Sequence, residues 1–156
     1  MAAACAALVL SLPVYGNTHC IASAQQKQEQ AASAWHTYDD GAMAIQWKVE
    51  ENTAKDKIVS LVFKSKSTER FSLGWTDNPQ FILTTDEGEF VTKEMKPQIT
   101  NLNRKFDLTP FKIRLTFRKA RGTAQSLRIT DIRPLDENGL PTSGIIDLTI
   151  ELVNQE

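Results

Sequence analysis

The chain predicts an all-β protein, an antiparallel β-sandwich of seven to eight strands. Three observations lead there. Residues 110–118 read Pro-Phe-Lys-Ile-Arg-Leu-Thr-Phe-Arg, with Phe111, Ile113, Leu115 and Phe117 on one side of an extended chain and Lys112, Arg114, Thr116 and Arg118 on the other. A period of two is the pattern of a strand with one buried and one wet face. Other short apolar runs recur along the chain, separated by Gly, Pro, Asn and Asp turn signals. No stretch carries a convincing amphipathic helix, and that combination favours a sandwich or barrel over an α/β fold.

In chain order, the first strand covers residues 43–50, where Ile45, Trp47 and Val49 alternate with Gln46, Lys48 and Glu50. Residues 57–66 form the second. Within it, 58–63 is apolar at every position but Ser60, which suits a central strand covered on both faces. A short strand follows at 70–74, and Trp75-Thr76-Asp77-Asn78-Pro79 is a loop because Asn-Pro interrupts regular structure. Residues 81–85 and 89–93 make a hairpin around Asp86-Glu87-Gly88. The stretch 94–108, with Pro97 and two Asn residues, reads as a long connection crossing from one sheet to the other. After 110–118 come a turn at Gly122, a strand at 125–132, a polar loop at 134–144 and a last alternating strand at 145–153.

The N-terminal segment is of another kind. Residues 2–15 are apolar and uncharged, and Ala22-Ser23-Ala24 offers the small-x-small pattern of a signal-peptidase site. Residues 1–24 are therefore expected to be a signal peptide, 25–40 a polar linker and 41–156 the folded domain, with the protein secreted or periplasmic. Pro13 and Gly16 break the apolar run too early for a comfortable bilayer span, so no integral membrane segment is expected after cleavage. Cys5 and Cys20 both lie before the cleavage point. A mature chain without cysteine has no disulfide, thiol nucleophile or thiolate zinc site. The net charge of −1 supplies no general attraction for nucleic acid.

Three pieces resemble a bacterial Ig-like accessory domain of secreted proteins and lipoproteins, a family mostly of unassigned function. They are Ile58 to Ser67 (an apolar strand followed by a polar Lys/Ser turn), the hairpin from Phe81 to Phe90 with its Asp-x-Gly turn, and the Pro-led strand that ends in Phe117. The resemblance implies an Ig-like sandwich outside the cytoplasm and carries no catalytic residues with it. The strand at 145–153 departs from the pattern.

Candidate chemistry is sparse. His36 with Asp39 and Asp40 has acid–base ingredients, but Asp-Asp-Gly is ordinarily a turn. No Gly-x-Ser-x-Gly elbow or phosphate loop is present. The acidic loops at 86–89 and 136–139 lack the spacing of a calcium loop and read as turns. Trp75 with Asp77 and Asn78 is a candidate platform for a sugar ring or a partner side chain, against the competing reading that Trp75 tucks under its own loop. Trp47 belongs to the core, and Trp35 fits either place. Lys112, Arg114 and Arg118, joined by Arg121 and Arg128 if 110–118 and 125–132 pair as a hairpin, form a basic stripe. The competing reading is a solvated face balanced by Asp147 and Glu151 on a neighbouring strand.

The expectation is a non-enzymatic binding module without cofactor or metal that recognises a protein or cell-envelope component. The alternatives are a carbohydrate-binding module using Trp75 and, more distantly, a hydrolase built around His36.

Overall fold

In the computed structural model the description covers residues 34–74, 80–92 and 94–152. The chain divides into two units, residues 1–34 and 35–156, and the architecture below is that of the second. The expected signal peptide lies outside the described residues.

Among the described residues eleven strands run in order: β1 (His36–Asp39), β2 (Met43–Asn52), β3 (Asp56–Ser65), β4 (Arg70–Leu73), β5 (Phe81–Thr85), β6 (Gly88–Thr92), β7 (Glu94–Lys96), β8 (Lys105–Phe106), β9 (Phe111–Arg118), β10 (Ala124–Leu135) and β11 (Ile146–Glu151). All pairings are antiparallel. The first sheet has the order β1-β2-β3-β9-β7, and the second β6-β5-β10-β4-β8 with β11 also on β10. The all-β sandwich read from the alternation is the fold. The three strands beyond the expected eight, β1, β7 and β8, have two to four residues, too few to show a period.

Two expectations need correction. Residues 36–39, placed in the linker, form a strand of the first sheet, with His36 opposite Trp47 and Asp39 opposite Ala44. The turn that joins them closes on its own side chains: Asp39 Oδ1 accepts from Gly41 N, and Asp40 Oδ1 from Ala42 N and Met43 N. The second correction concerns β9 and β10. They do not pair as a hairpin, because β9 lies between β3 and β7 in one sheet and β10 is central in the other. The turn around Gly122 carries the chain between sheets. Gly122 has φ +79°, and a Cβ there would fall 2.1 Å from Asp86 Oδ1, which itself accepts from Thr123 N.

The core fills the space between the sheets. Ile45, Trp47, Val59, Leu61, Phe63, Ile113, Leu115 and Phe117 come from the first sheet, and Phe71, Leu73, Phe81, Leu83, Leu127, Ile129, Ile132, Leu148 and Ile150 from the second. These are the apolar halves of the alternating strands, and their burial is the main drive to fold. Phe106 on β8 joins both layers, with ring centroids 5.5 Å from Phe63 and 5.4 Å from Phe71. The stretch 94–108 does cross between sheets: it starts as β7 on β9 and ends as β8 on β4. Lys57 also lies on the inward side of β3, fully buried, its ammonium donating to the carbonyl of Thr53.

Position on a central strand explains the near-continuous apolar run of β3. Its inward residues enter the core, while Ile58 and Ser60 on the outward side are buried by side chains of flanking strands. Those flanking side chains are the polar halves of β2, β9 and β7, and they make up the candidate site.

Candidate functional site

Register aligns the outward side chains of the first sheet into rows that run across the strands. Lys96 on β7 lies opposite Arg114 on β9, Arg114 opposite Ser60 on β3, and Ser60 opposite Lys48 on β2. One position beyond the His36–Trp47 pair, Trp35 completes the row: the Lys48 ammonium is 5.2 Å from its ring centroid. Five residues at four interstrand spacings make a line of about 19 Å. The adjacent row holds Lys112 opposite Val62 and Val62 opposite Gln46.

A shallow groove of about 310 Å³ follows these rows, floored by Ser60 and Val62 and walled by Trp35, Lys96, Pro97, Lys112 and Arg114. Among the described residues no carboxylate lines it. Trp35 is 48% exposed and brings an aromatic ring to the wall of the groove. The side chains of Lys112 and Lys96 make no ion pair or hydrogen bond among the described residues.

Glu50 is the carboxylate bonded into the cationic row. Its Oε1 accepts from Ser60 Oγ at 2.7 Å and lies 3.6 Å from Lys48 Nζ, while Oε2 accepts from Arg114 Nε at 2.7 Å. A β-bulge between Val49 and Glu51 is what brings both Glu50 and Glu51 toward this face. Burial is the largest single influence on the Glu50 carboxyl and pushes it up; Arg114, Ser60 and Lys48 together outweigh it, so Glu50 titrates below the ordinary glutamate range.

The other end of the face is arranged differently. A second hollow of about 400 Å³ is lined by Glu51, Asp56, Ile58, Glu94, Thr116 and Arg118, and also by Lys96 and Arg114, which border both hollows. Arg118 Nε donates to both oxygens of Glu94, at 3.1 and 3.0 Å, and Nη1 to Asp56 at 3.2 Å. The Glu94 bond is the chief reason the Arg118 guanidinium holds its proton more tightly than usual. Arg118 is thus a structural ion-pair residue, whereas Lys112, on the same face of the same strand, is open.

The expected basic stripe therefore splits. Lys112 and Arg114 lie on one face as predicted and are joined there by Lys96 and Lys48. Arg118 is neutralised, and Arg128 stands on β10 in the other sheet, opposite Thr149 and Ile82. Asp147 and Glu151 cannot balance β9, because β11 pairs with β10. The balancing acids are Glu50, Asp56 and Glu94.

Trp75, Asp77 and Asn78 lie outside the described residues. The residues on either side are defined: Gly74 N donates to Asp131 O and Thr130 N to Gln80 O, so Gly74 and Gln80 are each bonded to β10. The His36 cluster does not assemble. His36 stacks on Trp47 with centroids 4.3 Å apart, Asp39 pairs with Lys66 at 2.6 Å, and both Asp39 and Asp40 close the turn. In the acidic loops, Asp86 accepts from Thr123 N, and Asp136 Oδ1 from Asn138 N and Leu140 N. Among the described residues no group of three or more His, Cys, Asp or Glu is placed to hold a metal ion.

Sequence reasoning left Trp35 undecided and missed Lys96. The signal for Trp35 was present: a hairpin closing at Asp39-Asp40-Gly41 that sets Trp47 inward also sets position 35 outward, beside Lys48. For Lys96 there was none, since β7 is three residues long and shows no alternation.

Comparison with protein-family models, with curated proteins and with solved structures finds no match to this chain.

Proposed function

We propose that the protein is a non-enzymatic recognition module, exported to the periplasm or the exterior, that holds an anionic protein or envelope component on the outer face of its first sheet. The observation that carries this reading is the pairing of a half-exposed tryptophan with cations that have no side-chain partner among the described residues, in one groove: Trp35 at one end, Lys96 and Lys112 at the other. An exposed aromatic beside fixed positive charge gives a partner both contact area and electrostatic steering. A rigid sheet supplies the positions without reorganisation. The apolar leader and its Ala-Ser-Ala site support export. The commitment of Asp39 and Asp40 to a turn and an ion pair supports a role without catalysis, and the absence of a net cationic excess supports a partner other than nucleic acid.

The test is affinity capture from envelope extract with the wild type and with Lys96→Glu/Lys112→Glu. Specific partners are expected on the wild type, to be released by salt and lost from the variant. An unchanged partner set would remove the reading.

A further inference from the structure

We infer that the groove beside Trp35 binds the carboxylate-bearing sugars of an acidic polysaccharide, a polyuronate. The inference rests on the reading of this face as the recognition surface and names its ligand.

The lining of the groove favours one ligand class. The groove floor is the middle of β3, whose backbone is engaged by β2 on one side and β9 on the other through Ser60 and Val62. A strand-like peptide adds to a free sheet edge; the floor offers none, and the end strands β1 and β7 lie only at the rims of the groove. Recognition over the floor falls to side chains. A sugar ring presents an apolar C–H face and needs an aromatic surface; Trp35 offers one at 48% exposure. The carboxylates of a uronate chain recur along it, and Lys96 and Lys112 both stand along the groove to meet them.

Charge favours an anionic over a neutral glycan. Glu50 bonds to Arg114 and lies against Lys48, so those two cations are already balanced. Lys112 and Lys96 are left for the ligand. A neutral sugar would leave these ammonium groups unused, while a carboxylate on the ring completes charge-assisted bonds to them. Both hollows are shallow and lie on a flat face, which suits a chain passing over the surface better than an enclosed small molecule.

The experiment is calorimetric titration of the full chain with galacturonate hexamer. Fully methyl-esterified hexamer, maltohexaose, poly-L-glutamate and phosphatidylglycerol vesicles serve as the other probes. Saturable binding of the galacturonate hexamer is expected, weakening as salt rises and at least tenfold weaker for the ester. Trp35→Ala and Lys112→Glu should each lower the affinity at least tenfold, and Trp35→Phe should restore most of it. Circular dichroism establishes that each variant is folded. Because the chain has three tryptophans, a fluorescence change on binding that survives in Trp35→Phe would place the sugar elsewhere and overturn the inference. Equal binding of the ester would also overturn it. Tighter binding of poly-L-glutamate or vesicles, lost in Lys112→Glu, would reject the glycan and keep the anionic face. No binding of any anionic probe would reject both.

Discussion

At one end of the first sheet's outer face, Arg118 reaches Asp56 and Glu94, and their side chains close over Ile58, which is 9% exposed. At the other end, Lys112 and Lys96 stand without a partner among the described residues, and Val62 beneath them is only partly covered. The strands are the same and the residue types nearly so. The difference is the supply of carboxylates: Asp56, Glu94 and Glu51 all fall at the first end, while Glu50 alone reaches toward the second. Cations that meet acids across a sheet stabilise the pairing. Those that do not are held apart at some electrostatic cost, and they are the ones available to another molecule. A basic stripe is therefore informative only once its partners are known.

The largest effect that separates the two ends is in packing. Ile58→Ala removes a covered side chain and should lower stability by about 2 kcal/mol, at the low end for buried aliphatic truncation. Val62→Ala, at the open end, should cost about 1 kcal/mol or less. Chemical denaturation of the two variants measures the contrast, and equal losses would mean that the open end is as well covered as the closed one.

Glu50 is the hinge of the comparison, since it alone ties the cationic row to the sheet. Glu50→Ala should cost about 1 kcal/mol, because its charged bonds to Ser60 and Arg114 sit on a face partly open to solvent. The same variant frees Arg114 and Lys48, so its affinity for a polyanion should rise rather than fall. Loss of both stability and binding would show that Glu50 organises the groove.

Acid should act on two carboxyls of the first sheet in one direction. The Glu50 carboxyl titrates below its ordinary range in the folded protein. So does that of Asp39, chiefly through its bond to Lys66 and then through Gly41 N. A depressed carboxyl contributes stability at pH values above its unfolded range, and the contribution is lost as pH falls through the folded value. Thermal melts should therefore hold steady near neutrality and decline on the acid side of the usual carboxylate range. In Glu50→Gln that decline should be shallower. An acid limb identical to that of the wild type would show that Glu50 carries no linked stability.

Much of the fold was legible because its long strands alternate strictly. Residues 43–50, 58–63 and 111–117 announced which side chains enter the core, and the unbroken apolar run at 58–63 announced a central strand. The short strands were not legible: β8 is two residues long, and its membership depends on Phe106 finding Phe63 and Phe71 from two other strands. The site was half legible. Alternation puts Lys112, Arg114 and Arg118 on one face, but which of them is free depends on what lies across the neighbouring strands. Sheet order is a non-local property, and adjacency in sequence suggested β10 as the neighbour of β9 where the chain in fact crosses to the other sheet at Gly122. The acids that neutralise Arg118 come from positions 56 and 94, far from it in sequence and adjacent only after pairing.

The smallest stability effect is predicted for the residue with the largest proposed role. Lys112 is exposed and unpaired among the described residues, so Lys112→Gln removes a charge without breaking a bond and should change stability by no more than about 0.5 kcal/mol. Removing one of several neighbouring cations relieves repulsion with Lys96 and Arg114, so any change should be toward greater stability, and it should shrink as salt screens the charges. Arg118→Gln, by contrast, leaves Glu94 and Asp56 facing each other without their shared cation and should destabilise measurably under the same conditions. Denaturation of both variants at low and high salt tests the contrast directly. If Lys112→Gln proved the more damaging of the two, Lys112 would be a structural residue and the open end of the face would not be open.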